Sequence, residues 1–396
     1  MKAGPPGPGM TSCGGYGIIL CCMKVLVVHN RYRIRGGEDS VVENETAMLK
    51  KHGHEVICFI RSNEDMKGGV GAALNSLFSI KTFREIKKII RAEKPDIIHV
   101  HNTIHVISPA VYYAAVSEKV PVVQTLHNFR LKCVNGEFYR NGHCCEDCVK
   151  HGMFCALKHK CYRHSLPQTF MMAVNMLVHR LTGIYKKLNY IALTEFDKEK
   201  LTLPGKVYIK PNFTGADENI YDPGSDYYIY IGRIEENKGI ATVARAFRLN
   251  GKKLVIAGDG SCADKLRAYI KRHELENIDY RGALDHEETM RLLAGAKALI
   301  APSQWYETFG MTVIEAFARG IPVIANDFGN MGALVTDGVC GLKYRHSVRA
   351  LKECIDRFEE SDRRLLSQNA LKEYTEKYTE EKNYERLMEI YEDVLS

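Results

Sequence analysis

Two carboxylates eight positions apart, Glu307 and Glu315, frame the segment whose residue types carry the most readable chemistry. Thr308-Phe309-Gly310 stands between them. Residues 298–301 read as a short buried strand and 311–319 as a helix, so Glu307 belongs to a strand-to-helix loop and Glu315 lies about one turn into the helix. Ionised carboxylates only accept hydrogen bonds, which suits a polyol such as a sugar or a ribose. The backbone N–H groups at Phe309 and Gly310 open the helix and are suited to an anion. The alternative is an ordinary helix start, where acidic residues are favoured in the first turn.

Other positions carry compatible chemistry. Strand 227–231 runs into Gly232-Arg233, with Lys238 five residues after the arginine. Arginine can grip pyrophosphate oxygens in a fork and lysine adds a point charge. Strand 24–29 leads through a loop to Gly36-Gly37 and a helical stretch, an arrangement that can cradle phosphate. It is not Gly-x-Gly-x-x-Gly, which disfavours a dinucleotide site. His127 ends strand 121–125 at a ligand edge, and His101-Asn102 follow strand 96–100 as cleft-lining residues. The histidines show no clear metal-ligand spacing.

Six of the 13 cysteines fall between 133 and 161. Cys145-Glu-Asp-Cys148 is a Cys-x-x-Cys knuckle whose thiolates can share one tetrahedral zinc, with Cys133 and Cys161 as flanking ligands. Cys144 and Cys155 are extra, and free thiols, a disulfide or redox chemistry are the other readings. Along 81–91, Lys81, Arg84, Lys87, Lys88 and Arg91 share one helical arc opposite Phe83, Ile86, Ile89 and Ile90. Such a helix can meet an anionic membrane, or simply solvate its polar side.

The elements that must position these residues alternate strand and helix throughout, which implies parallel sheets wound on both faces with ligands beyond the strand C-terminal ends. At 396 residues the chain suits two domains, and 45% hydrophobic with 26% charged residues is ordinary globular composition. The net charge of +7 comes with no nucleic-acid-binding motif. No apolar run approaches the roughly 20 residues of a membrane span. Residues 1–22 are rich in Gly and Pro near the start and read as a disordered leader or extension, with the fold expected from Met23. A cytoplasmic protein is the expectation. Residues 222–226 form the best linker.

The Glu-x-Phe-Gly segment with its second glutamate resembles the donor-binding motif of family 4 retaining glycosyltransferases, and the cysteine insertion resembles that of a bacterial subgroup. The likeness runs from about Lys24 to the C-terminus, with the glycine pair, His127, Arg233 with Lys238, and Glu307 with Glu315 in the family order. It implies the GT-B fold, an α/β architecture of two Rossmann-like doubly wound parallel-sheet domains facing a central cleft. Residues 23–222 would form the acceptor domain, with the insertion at 133–161, and 223–380 the nucleotide-sugar donor domain. Residues 381–396 would be a helix crossing back.

The resemblance assigns His127 and Glu307 to the reacting sugar. It places Gly36, Gly37, Arg233, Lys238, Gly258, Leu284, Phe309, Gly310 and Glu315 around the donor. It implies transfer of a sugar, with retention, from a nucleotide diphosphate to a lipid-linked or other glycan acceptor in surface-polysaccharide synthesis. The chemistry would require no Mg²⁺, and the zinc would be structural. The alternatives are a non-catalytic nucleotide-sugar sensor or zinc-stabilised partner protein, and, ranked lower, a hydrolase using the two glutamates as acid and base.

Overall fold

The computed structural model describes residues 22–32, 36–65, 69–215 and 226–396. The expected leader, except Cys22, and all of the expected linker but Asp226 lie outside them. The strands are β1 (Lys24–Arg31), β2 (Glu55–Ser62), β3 (Ile97–Asn102), β4 (Val122–Thr125), β5 (Tyr139–Arg140), β6 (His143–Cys144), β7 (Asn189–Ala192) and β8 (Val207–Ile209). They continue with β9 (Tyr227–Ile231), β10 (Lys253–Ala257), β11 (Ile278–Gly282), β12 (Ala298–Ala301), β13 (Val323–Asn326) and β14 (Gly341–Tyr344). Two six-stranded sheets result, ordered β2-β1-β3-β4-β7-β8 and β11-β10-β9-β12-β13-β14. Every pairing in both is parallel. This is the α/β architecture expected from the alternation.

The sheets are parallel because their strands are apolar along their length and covered on both faces. Strands β3, β4, β12 and β13 are buried at every position. The helix Met311–Ala318 packs Val313, Ile314, Ala316 and Phe317 into the second sheet's core. The C-terminal helix Glu380–Leu395 packs Leu387, Met388, Ile390 and Tyr391 with Val25, Val27 and Ile97 of the first sheet. Lys51 meets Glu380 at 2.7 Å along the same contact.

Three elements differ from the sequence reading. The long helix expected over 166–187 stops at Leu181. Gly183 takes φ 70° and a 3₁₀ turn, Ile184–Lys187, follows. Left-handed glycine ends the helix. The insertion carries a small antiparallel hairpin, β5 with β6. Gly341–Tyr344, not read as a strand, closes the second sheet's edge beside β13. The basic helix forms as Ile80–Glu93, but Lys87 and Arg91 both pair with Glu118 at 2.9 Å, which takes two cations out of the expected arc.

Candidate active site

Gly232 and Gly258 show why the ends of β9 and β10 are glycine. Gly258 has φ 138°, and a Cβ there would sit 1.9 Å from the Gly232 carbonyl oxygen. The two strand ends close on each other, and the chain leaves the sheet at Arg233 with no bulk in the way. Arg233 is exposed and bonds Glu235 at 2.9 Å. Lys238 ends a 3₁₀ turn, Glu236–Lys238, that Gly239 terminates. Its ammonium lies 5.0 Å over the Trp305 ring and 2.6 Å from Glu307 Oε1.

Glu307 therefore stands in the β12-to-helix loop with its charge compensated. Burial pushes its carboxyl up, but Lys238 outweighs that and, with Ser303 donating at 2.5 Å, holds it below the ordinary value. Its carbonyl accepts from Asn330 Nδ2 at 2.5 Å. Glu315 is different. Burial raises its carboxyl, against the pull of His286 and Arg319, and its carboxylate takes no hydrogen bond from the described residues. Gly310 caps the helix Met311–Ala318, and a Cβ would strike Met331 Cε at 2.6 Å. Phe309 is buried in the core. Leu284 sits half-buried in the loop after β11.

Across the cleft, Thr308 Oγ1 donates to the His127 carbonyl at 3.1 Å, so the Glu307 loop touches the end of β4. His127 Nε2 and His101 Nδ1 share a 3.0 Å hydrogen bond. Behind them, Glu45 Oε1 lies 3.3 Å from His101 Nε2 and 3.0 Å from His99 Nδ1, while Lys210 Nζ donates to Glu45 Oε2 at 2.8 Å. The Tyr391 hydroxyl of the C-terminal helix meets His99 at 2.7 Å. His101 Nε2 and Glu45 Oε1 are buried without a hydrogen-bond partner, and the carboxylate charge 3.3 Å away favours the proton on His101 Nε2. His101 Nδ1 then accepts from His127 Nε2, which leaves His127 Nδ1 as an acceptor. Burial holds His127 well below its ordinary pKa, with His101 and His29 adding to the effect. Its ring is neutral at physiological pH.

His101 and Asn102, expected on the acceptor side, are both buried. His101 supports His127, and Asn102 bonds the Asn30 carbonyl at 2.9 Å and the Ile104 N–H at 3.0 Å. Both also line a cavity together with His127, Asn128 and Arg130. Gly36 and Gly37 open the helix Gly37–Lys51 in exposed positions where a Cβ would meet nothing within 4 Å. Asp39 accepts from the Gly36 N–H at 2.9 Å, so that helix end is already partly capped.

Sulfur atoms do gather in the insertion. Burial drives the Cys148 thiol up to about 12, and Cys133, Cys161, Cys145 and Cys155 reinforce the shift. Yet no three of these sulfurs lie within 4.8 Å of one another, so the cysteines are neighbours without forming a closed tetrahedral site. The one group of described residues that passes that distance test is Glu45, His99 and His101, where Lys210 already supplies the positive charge. The hairpin side of the insertion braces the donor loop: Tyr306 donates to Glu146 at 3.1 Å, and Trp305 packs edge-on against Tyr139.

Sequence reasoning missed Ser303, Asn330, Glu45, His99 as a partner, Lys210 and Arg130. Ser303 stands four residues before Glu307, and Arg130 three after His127, which are faint signals. Glu45 carried none, being one acid among several on a surface-like helix.

The family model for glycosyl transferases group 1 matches residues 217–378, and that for Glycosyltransferase Family 4 matches 35–143, together more than half of the chain. A glycogen synthase of Mycobacterium tuberculosis is 38% identical over 120 residues, which is 29% of each chain. The match thus spans under a third of that relative's length. An uncharacterized 41.2 kDa protein from the cps region of Klebsiella pneumoniae is 22% identical over 80% of this chain and 85% of its own. A Rickettsia africae glycosyltransferase superposes with TM-score 0.70 at 16% identity, covering 95% of this chain and 99% of the other. Anabaena Alr3699/HepE, solved in complex with UDP and glucose, superposes at 0.64 and 16% identity, covering 93% and 99%.

Proposed function

Because this chain belongs to the family 4, group 1 glycosyltransferases and has their GT-B fold, we propose that it moves a hexose from a nucleotide diphosphate to a lipid-linked glycan acceptor, with retention at the anomeric carbon. What supports this reading is the 2.6 Å Lys238–Glu307 pair, one residue from the Thr308–His127 bridge, which sets cation, carboxylate and neutral imidazole at one edge. Arg233 and Lys238 bind the diphosphate and stabilise the charge left on it as the glycosidic bond breaks. Glu307 accepts from hydroxyls of the sugar, and His127 Nδ1 accepts another. Glu315, whose carboxylate has no donor among the described residues, takes the ribose hydroxyls. The acceptor hydroxyl attacks from the leaving-group side and gives its proton to the departing phosphate, so no protein nucleophile is required.

The polysaccharide role rests on the likeness to the cps-region protein. Docking at an anionic membrane rests on the helix Ile80–Glu93; among the described residues no helix is long and apolar enough to cross a membrane. Zinc in the insertion requires Cys133, Cys145, Cys148 and Cys161 to turn inward by side-chain rotation. About one zinc per chain is expected by elemental analysis, lost in Cys145→Ser and Cys148→Ser but kept in Cys144→Ser and Cys155→Ser. Metal-free protein from unchelated preparation would refute it. The activity test is mass spectrometry of a nucleotide-sugar panel, UDP-glucose first, with a bacterial lipid extract as acceptor. Donor consumption with an acceptor-linked α-hexose supports the reading. Donor binding without turnover would leave a sensor.

A further inference from the structure

Two cavities that share a wall lie in the N-terminal half. One, of about 430 Å³, is lined by Arg130, Arg140, Arg163, His105 and Tyr162, with Glu137 its one carboxylate. The other, of about 620 Å³, lies between the helices Val70–Leu77 and Leu166–Leu181 and is lined mainly by Ala72, Ala73, Leu77, Pro167, Met171 and Met172. His105, Tyr162 and Arg163 belong to both. A basic chamber therefore lies against an apolar one.

The basic chamber has unspent hydrogen-bonding capacity. Arg130 Nε and Nη1 and Arg140 Nε are buried with no hydrogen-bond partner. Arg130 lies 5.9 Å from the Tyr162 ring centre and 6.0 Å from that of Tyr32, and forms no ion pair within 4 Å among the described residues. Buried guanidinium donors without acceptors are costly, which points to an anion as the absent acceptor. The acids nearby do not fill the role: burial lifts Glu38 to about 8 despite Arg130, and lifts Glu137 as well. The positive field is also visible at His105, which burial, then Arg130 and Arg163, push down to about 4. Glu137 in turn feels Arg233 and Lys238, so the chamber faces the donor side of the cleft.

The helix Leu166–Leu181 also carries an apolar face on its side away from that chamber. Leu166, Phe170, Leu177 and Leu181 fall within one 60° arc of their helix and are all exposed, Phe170 at 52% and Leu181 at 77%. An apolar face of this kind on a charged protein marks a binding surface.

We propose that the two chambers together seat the acceptor as an amphiphile, its phosphate or diphosphate between Arg130 and Arg163 and its hydrocarbon chain between the helices Val70–Leu77 and Leu166–Leu181. The inference rests on the glycosyltransferase reading and deepens it, because Arg130 follows His127 by three residues and a saccharide carried on that phosphate extends toward the donor edge. The cysteine insertion then has a purpose in the reaction: it supplies Arg140 and, just beyond it, Tyr162 and Arg163 to one wall of the phosphate chamber.

The test is calorimetric titration of the full chain with decyl phosphate below its micelle concentration, with inorganic phosphate and decanol as separate arms. The wild type, Arg163→Gln and Ala73→Trp are compared, and a nucleoside diphosphate is titrated into each sample. Decyl phosphate should bind at least about tenfold tighter than either fragment, since a charge-assisted contact and a buried chain act together. Arg163→Gln, at an exposed position, should weaken decyl phosphate about tenfold and leave decanol unchanged. Ala73→Trp should weaken both. Decyl phosphate binding no tighter than inorganic phosphate, or binding unaffected by both substitutions, overturns the proposal. Nucleoside diphosphate binding retained alongside that result confines the failure to the acceptor seat. Its loss from the wild type refutes the donor reading instead, while tight decyl phosphate binding there would still support the seat.

Discussion

The two walls of the cleft hold their polar groups by opposite means. In the N-terminal wall His127 is the outer end of a buried column: His101 behind it, Glu45 and His99 behind that, then Lys210 and Tyr391. Lys210 and Glu45 are almost wholly buried, and the column is closed by Asn383 and Tyr391 from the last helix of the chain. In the C-terminal wall the charges stand at the surface of the cleft. Lys238 and Glu307 neutralise each other, Arg233 bonds only a glutamate two residues away, and Glu315 has no donor from the described residues. The first wall is fixed by folding itself, because its groups cannot separate without stranding a buried charge. The second is a set of partners that a ligand can exchange at small cost, since a phosphate can replace Glu307 at Lys238.

The sharpest way to break this contrast is Glu45→Ala. It leaves Lys210 buried without its carboxylate, and a buried pair broken from one side costs about 3–5 kcal/mol. Denaturant unfolding should show that loss. A change under about 1 kcal/mol would mean that water reaches the column and that the N-terminal wall is not held by burial.

Glu307→Gln keeps shape and hydrogen bonding but removes the charge that strengthens as the sugar becomes cationic. Single-turnover rates should fall about a hundredfold, near 2.7 kcal/mol, while nucleoside diphosphate affinity changes little. His127→Ala should behave likewise, whereas Glu315→Gln should weaken the free nucleotide through the lost ribose contact. The reverse pattern would exchange the roles of the two glutamates. Arg233→Ala and Lys238→Ala should each weaken donor binding ten- to a hundredfold, about 1.5–3 kcal/mol, with unfolding free energy nearly unchanged. Equal damage to stability and binding would show that folding depends on the C-terminal wall as much as on the N-terminal one.

The contrast also explains what could be read from the sequence. Strands 227–231, 253–257 and 298–301 have the bounds expected, because fully buried parallel strands are short apolar runs. Lys238 and Glu307 were legible from strand ends and loop spacing, and the C-terminal wall is built mostly from such local segments. The column was not. Tyr391 and His99 are 292 residues apart and Lys210 and Glu45 are 165 apart, so only the assembled sheet and the returning helix bring them together. The partner of His101 was hidden for the same reason: its register on β3 is visible in sequence, but the carboxylate behind it is not.

The smallest effect is in the pH dependence, where the walls should separate cleanly. His101 is pushed down to about 4, first by burial and then by His99, from an ordinary value of 6.5. Between these values the unfolded chain binds a proton that the folded chain refuses. Its contribution is therefore complete above about pH 6.5 and is lost as pH falls toward 4, with a slope no steeper than about 1.4 kcal/mol per unit. Glu307 has a lowered pKa because Lys238 outweighs its burial, so its contribution persists above the ordinary carboxylate value of 4.5 and fades only below it. Unfolding curves for wild type, His101→Gln and Glu307→Gln across pH 4 to 7.5 should then diverge in different windows. Groups such as Glu38 and Asp197, raised by burial to about 8, act in the opposite sense but cancel in each difference from wild type. Wild type should lose stability relative to His101→Gln between about pH 6.5 and 4, while its difference from Glu307→Gln stays flat until the lowest points. Parallel curves for wild type and His101→Gln would mean that the ring titrates alike in the folded and unfolded chains and is charged in the folded protein below about pH 6.5. His101 could then present a donor to His127 Nε2, and the tautomer assigned to the sugar-binding imidazole would be reversed.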